Sequence, residues 1–169
     1  GNYMWIDKNS AKKKIWHSIA DSWSKEKTMP DRVKLEKHVQ KALHHSVEKH
    51  LVSDVPVGIF LSAGLDSASI AGLSAECQGA GLQSITLGFN EFKGQASDEV
   101  PLAEQVARLY QMEHQTCRIS SDDFDEIYED LLDVMDQPSI DGVNTYFVAR
   151  AAAQKGLKVA LSGLGGDEL

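Results

Sequence analysis

The sequence predicts an α/β fold: a mostly parallel, twisted sheet with helices on both faces. Three observations carry the prediction. Strand-like and helix-like segments alternate along the chain, the pattern of a parallel sheet with crossover helices. The first strand candidate, "VGIFLS" at 57–62, is continuously apolar, as a strand buried on both faces reads. Two strand candidates run directly into glycine-bearing turns, "LSAGLDS" and "LSGLGGDEL".

Residues 1–32 hold Trp5, Trp16 and Trp23 among lysines and serines with no sustained period, and read as a linker that docks on another surface. From Asp31, a possible N-cap, the pattern changes. Val39, Leu43, Val47 and Leu51 recur every four residues, which predicts an amphipathic helix to about Leu51. His38, His44, His45 and His50 lie on it. His45 and Lys49 share a face but no carboxylate completes a metal set, so these read as surface histidines.

After "VGIFLS", the stretch from Asp66 to about Gln78 reads as a helix with Ile70, Leu73 and Cys77 on one side, ended by Gly79 and Gly81. "LQSITLGF", 82–89, is the second strand. The loop "NEFKGQAS" then leads to Asp98 as N-cap of a helix reaching about Tyr110. "EHQTCRIS", 113–120, is a third strand, less apolar and so nearer a sheet edge. Phe124, Ile127, Leu131, Leu132 and Met135 keep helical spacing through the acidic stretch Ser121 to Met135, whose charges form a solvated face. A further helix spans about Asn144 to Gln154, Gly156 stops it, and "LKVALS", 157–162, is the fourth strand.

Composition narrows the function. At 169 residues the chain holds one domain's worth of core. The net charge of -8 is unevenly spread: residues 1–50 carry eleven Lys and Arg against six Asp and Glu, and residues 51–169 carry six against nineteen. The lysines of the basic arm are interleaved with acids and aromatic residues, which argues against a nucleic-acid surface. The acidic remainder could hold an anionic ligand only with backbone N–H groups and a metal ion to offset repulsion. No apolar run reaches the roughly 18 residues of a membrane span, and "GNYMWIDKNSAKKK" lacks the apolar core of a signal peptide, so the cytoplasm is the expected compartment. Cys77 and Cys117 lack metal-ligand spacing and read as thiols in a reducing environment.

In open parallel sheets, ligands bind beyond the carboxyl ends of the strands, where strand order reverses. If the first and fourth strands are neighbours, the two glycine-bearing turns face one site. Gly64 lets the first turn close tightly, and the N–H groups around residues 63–67 then point outward at a helix N-terminus, suited to an anion. Ser62 and Ser67 add hydroxyl donors. The same turn also fits a plain strand-to-helix connection capped by Asp66. Asp66 and Asp167 together would supply the oxygens that Mg²⁺ prefers; Asp167 and Glu168 alone also fit a helix start. A Walker loop is excluded, since no G-x-x-x-x-G-K-[ST] is present. Ser62 lacks the G-x-S-x-G frame of a serine hydrolase.

The run "SDVPVGIFLSAGLDSASIAGL" resembles the pyrophosphate-binding loop region of glutamine-dependent asparagine synthetases, and "GLKVALSGLGGDEL" resembles their second nucleotide loop. The resemblance covers about 33–169, including "ITLGF", the "DE" of Asp98 and Glu99, and "QP" at 137–138. It implies a Rossmann-like ATP pyrophosphatase (PP-loop) fold, with 33–169 as the N-terminal part of a synthetase domain that continues beyond the chain. It further implies that a small-molecule carboxylate attacks the α-phosphorus of ATP, releasing pyrophosphate and giving an acyl-adenylate that ammonia converts to an amide. On this resemblance Ser62, Ala63, Gly64, Leu65, Asp66 and Ser67 would hold pyrophosphate, and Asp66 and Asp167 would bind Mg²⁺. Phe60, Leu87, Ser162 and Gly163 match positions that contact adenosine, Leu87 reading equally well as strand core. The ammonia would come from an N-terminal glutaminase domain that this chain lacks, a homodimer is an assembly the resemblance allows, and the fragment alone is expected to be inactive.

Two departures stand out. The usual first loop is S-G-G-x-D-S, and Ala63 replaces its first glycine, which the loop tolerates if φ at 63 is negative. Asparagine-forming relatives usually carry Glu where this chain has Leu164. Leucine neither accepts a proton nor binds ammonium, so adenylation is implied more firmly than asparagine as product. A nucleotide-sensing or scaffold module, and another PP-loop ligase such as a lactam-forming, tRNA-modifying or NAD-forming enzyme, are the competing readings.

Overall fold

The computed structural model describes residues 1–24, 31–137, 139 and 141–166, without the side chains of residues 23 and 24. The chain forms two compact units, Gly1–Gln40 and Lys41–Leu169. In the first, β1 (Asn2–Ile6) and β2 (Ala11–Ile15) pair as an antiparallel hairpin with Asn2 opposite Ile15 and Ile6 opposite Ala11. Asp7 makes the turn: its Oδ1 accepts from the N–H groups of Asn9 at 2.8 Å and Ser10 at 2.9 Å. These bonds hold the Asp7 carboxyl below the usual carboxylate range. The sequence reading of a linker without period misses this hairpin, because every residue of both strands is exposed and no buried face marks it. A short helix α1 (Ile19–Ser24) follows, and α2 (Arg32–His50) runs on into the second unit.

The second unit continues through β3 (Val57–Phe60), α3 (Leu65–Gln78), β4 (Gln83–Phe89), a single 3-10 turn at Asn90–Phe92, and α4 (Val100–Leu109). Then come β5 (Glu113–Ile119), α5 (Ser121–Val134), α6 (Gly142–Gln154) and β6 (Val159–Leu161). The four strands form one parallel sheet in the order β5-β4-β3-β6. The predicted α/β architecture is borne out, and the least apolar strand does lie at an edge.

Both faces of the sheet are covered, which explains the unbroken apolar character of β3. On one face Ile59 and Leu61 pack with Ala71 of α3 and Ala103 and Ala107 of α4, the small residues letting these helices lie close. On the other, Ile85 meets Ala151 and Ala152 of α6, and Ile119 meets Ile127 and Phe147 from α5 and α6. Val47 and Leu51 of α2 pack with Val57, Leu73 and Cys77. Helix α5 opens on a reciprocal cap: Ser120 Oγ accepts the Asp123 N–H at 3.2 Å, and Asp123 accepts the Ser120 N–H at 2.8 Å.

From β3 the chain steps through β4 to β5 in one direction, then returns to place β6 on the other side of β3. Strand order therefore reverses between β3 and β6, and the turns that follow these two strands meet at that point.

Candidate functional site

The first turn is built around Ser67, whose side chain is buried at the start of α3. Its hydroxyl lies 2.8 Å from Ser62 Oγ, accepts the Ser62 N–H at 3.1 Å and sits within donating distance of the Ser62 and Gly64 carbonyls. Ser62 Oγ accepts the Gly64 N–H at 3.2 Å. The second turn repeats this local motif: Ser162 Oγ accepts the Leu164 N–H at 3.2 Å. Thr86 anchors the base of the first turn from β4, donating to the Leu61 carbonyl at 2.6 Å.

The alternative reading of this turn as a connection capped by Asp66 does not hold. The helix starts at Leu65, with Gly64 as N-cap and no side-chain cap bond, so the Asp66 carboxylate lies in the first turn and has no hydrogen-bond partner among the described residues. Gly64 itself is extended, at φ -70° and ψ 152°, so its role is space rather than a left-handed backbone. A Cβ there would come 3.2 Å from Ser62 Oγ. Ala63 is not left-handed either, which removes the objection to an alanine at that position. The left-handed residue is Gly165, at φ 90° in the second turn.

The two turns interlock. A Cβ on Gly163 would come 2.7 Å from the backbone nitrogen of Ser67, and one on Gly166 would come 2.6 and 2.7 Å from the Asp66 carboxylate oxygens. Beside them opens a cavity of about 740 Å³, within the usual range of small-molecule sites. Phe60, Ser62, Gly64, Asp66, Ser67, Leu87, Ser162 and Gly163 line it, so eight of the sequence-chosen residues are brought together. Ala63 and Leu65 do not line it, and Leu65 is 86% exposed. Asp167 lies outside the described residues. Leu87 packs with Ile119 and Phe147 as strand core and also lines the cavity.

Several lining residues were not placed in the site from the sequence. Phe89, Phe92, Ser97, Asp98, Glu99 and Val100 form one wall, and Asp141, Asn144, Thr145 and Val148, from the N-cap to the middle of α6, form another. The position of the loop "NEFKGQAS" just beyond the carboxyl end of a strand was the available signal. The expectation of Asp98 as N-cap is corrected: α4 starts at Val100 with Glu99 as its N-cap, and Asp98, one residue earlier, accepts the Val100 N–H through Oδ1 at 3.2 Å. Its other partners come from the tertiary fold: Gly94 N–H at 3.1 Å and Arg118 Nη2 at 3.1 Å. Burial pushes its carboxyl up, and the bonds from Gly94, Arg118 and Val100 outweigh that, holding it below the usual range.

Elsewhere, Cys77 and Cys117 are free, and burial pushes both thiols up, away from the reactive thiolate. Among the described residues no three His, Cys, Asp or Glu side chains are grouped to hold a metal ion, so the α2 histidines form no such cluster. No described helix is long and apolar enough to cross a membrane.

A family model described as asparagine synthase matches residues 38–169. The chain belongs to the asparagine synthase family. It is 37% identical over 138 residues to asparagine synthetase [glutamine-hydrolyzing] 1 of Bacillus subtilis, covering 80% of this chain and 21% of that protein. It is 33% identical over 167 residues to the putative asparagine synthetase [glutamine-hydrolyzing] 2 of Methanocaldococcus jannaschii, covering 97% of this chain and 31% of that protein. The chain thus spans between about a fifth and a third of these two curated relatives. An NH3-dependent NAD synthetase from Campylobacter jejuni aligns over 72% of this chain and 53% of its own, at 12% identity and a TM-score of 0.49.

Proposed function

We propose that the cavity binds ATP and that the full-length protein activates a carboxylic acid as its acyl-adenylate, then forms an amide with ammonia drawn from glutamine. The observation that carries this reading is the backbone contact between the turns after β3 and β6, Gly163 against Ser67, with Asp66 beside it at the cavity. Membership of the asparagine synthase family and the glutamine-hydrolyzing relatives support it. So does the chemistry of the lining.

Ser62, Gly64 and Ser67 line the cavity at the N-terminus of α3, where the helix dipole favours the negative charge of the departing pyrophosphate, and the bonds among them hold the shape of the turn. Phe60 and Leu87 give apolar surface for the adenine base, and Ser162 and Gly163 give backbone contacts across from it. Asp66 fits Mg²⁺, being a hard-oxygen donor at the cavity with no hydrogen-bond partner among the described residues; with Asp167 it would hold the ion, which would neutralise phosphate charge. The substrate carboxylate oxygen attacks the α-phosphorus, the bond to the bridging oxygen breaks, and pyrophosphate leaves. Ammonia then attacks the acyl carbon and AMP departs.

Leu164 is 88% exposed at the cavity and carries no acid or base, so the acid that is amidated need not be aspartate. Incubating the full-length protein with ATP, Mg²⁺, glutamine and a panel of carboxylic acids, and following AMP by mass spectrometry, tests the reading. AMP formation that depends on one acid is the expected result; ADP formation, or no acid-dependent AMP, overturns it.

A further inference from the structure

One wall of the cavity depends on a residue that never lines it. Arg118 stands on β5, its side chain 23% exposed, and pairs with Asp98, whose side chain is 4% exposed. Its Nη2 is 3.1 Å from Asp98 Oδ2 and 3.5 Å from Oδ1. The same carboxylate takes the Gly94 N–H and the Val100 N–H, so it closes the ends of the 94–100 segment on themselves and fastens both to β5. A second tie runs from the other end of the loop, where Glu91 Oε1 accepts the N–H of Ser121 at 3.0 Å.

Gly88 makes room for this arrangement. A Cβ on it would come 2.5 Å from Val100 Cγ2 and 3.5 Å from Arg118 Nη1, so the absence of a side chain lets α4 and the guanidinium close over β4. Gly88, Asp98 and Val100 all line the cavity. Arg118 Nη1 is buried without an acceptor among the described residues, a cost that a surface ion pair would not carry. A guanidinium kept in that setting opposite a nearly buried carboxylate points to a role in holding shape, since removing either partner strands the other's charge.

We propose that Arg118 is a positioning residue of the cavity: by clamping Asp98 it fixes the 90–99 segment as the wall against which the ligand binds. The inference rests on the reading of this cavity as the ATP site. A wall that touches the nucleotide equally before and during reaction contributes uniform binding, so its loss raises Kd or KM and spares kcat.

The test compares full-length wild-type protein with R118Q, R118K and D98N, the last a near-isosteric change that keeps the fold if R118Q does not. ATP with MgCl2 is titrated calorimetrically, acid-dependent AMP formation is followed, and hydrogen–deuterium exchange is read over residues 90–99. R118Q and D98N are expected to weaken ATP binding about tenfold with kcat within about twofold, while R118K, which keeps a cation opposite Asp98, recovers most of the affinity. Exchange over 90–99 should rise in R118Q and D98N with the remaining sheet unchanged. Wild-type affinity in folded R118Q and D98N, or unchanged exchange over 90–99, overturns the proposal. If the wild type binds no ATP, the reading of the cavity fails, and faster exchange over 90–99 in R118Q or D98N still supports the clamp while unchanged exchange overturns it.

Discussion

Gly163 lies against the backbone of Ser67: a Cβ on it would stand 2.7 Å from the Ser67 nitrogen and 3.0 Å from the Asp66 carbonyl carbon. The turn after β6 therefore touches the turn after β3 main chain to main chain, and neither can give way by rotating a side chain. Gly163→Ala should push the turns apart, costing about 1–3 kcal/mol of stability as overpacking and lowering adenylation at least about tenfold. Urea unfolding and AMP formation measure the two effects.

The neighbouring contact predicts a milder outcome. A Cβ on Gly166 would meet the Asp66 carboxylate oxygens, which end a rotatable side chain. Gly166→Ala should displace that carboxylate at a rotamer cost of about 0.5–1.5 kcal/mol, with a larger effect on the Mg²⁺ concentration needed for half-maximal rate than on stability. A loss of stability equal to that of Gly163→Ala would contradict this ordering.

Ser67→Ala leaves the Ser62 N–H without its side-chain acceptor inside a part-buried turn. The expected loss is about 1–3 kcal/mol by chemical denaturation, together with weaker inhibition by pyrophosphate. Leu65→Ala, two residues earlier and exposed, should change stability by less than about 0.5 kcal/mol and serves as the control.

The far end of the sheet should show a pH response unrelated to the cavity. His114 Nδ1 lies 2.9 Å from Ser84 Oγ, and its Nε2 lies 3.4 Å from Thr116 Oγ1, which in turn donates to Glu104. Burial lowers its pKa first, Glu104 raises it and Arg108 lowers it, leaving it below the ordinary value of 6.5. The unfolded chain therefore takes up the proton first as pH falls. This contribution to stability is full above about pH 6.5 and is lost between there and the lower folded-state value. His114→Gln should flatten the thermal stability profile below pH 6.5 and leave ATP binding unchanged.

Much of this architecture was legible in the chain. "VGIFLS" reads as a strand buried on both faces because Ile59 and Leu61 pack on one side and the sheet is covered on the other. Placing two glycine-bearing turns after strands led to a shared site, conditional on β3 and β6 being neighbours, and they are. The hairpin of β1 and β2 stayed hidden because its exposed faces impose no alternation. The cavity wall at 89–100 stayed hidden for a different reason. Its shape is set by Arg118 and Asp98, twenty residues apart, and local periodicity carries no record of such a pair. Asp98 looked like the N-cap of α4; the cap position belongs to Glu99, and Asp98 is instead the point where β5 holds the loop.

The central claim is that Asp66, set between the two turns, serves ATP-dependent activation of an acid. Exchange of radiolabelled pyrophosphate into ATP tests it most directly, measured in the full-length protein across carboxylic acids with Mg²⁺, in wild type and in Asp66→Asn. The prediction is exchange that requires one class of acid and falls at least about a hundredfold in Asp66→Asn, while that variant stays folded. Nucleotide binding without exchange for any acid in the wild type, or undiminished exchange in Asp66→Asn, would contradict it and favour a nucleotide-sensing module or a site that works without this carboxylate.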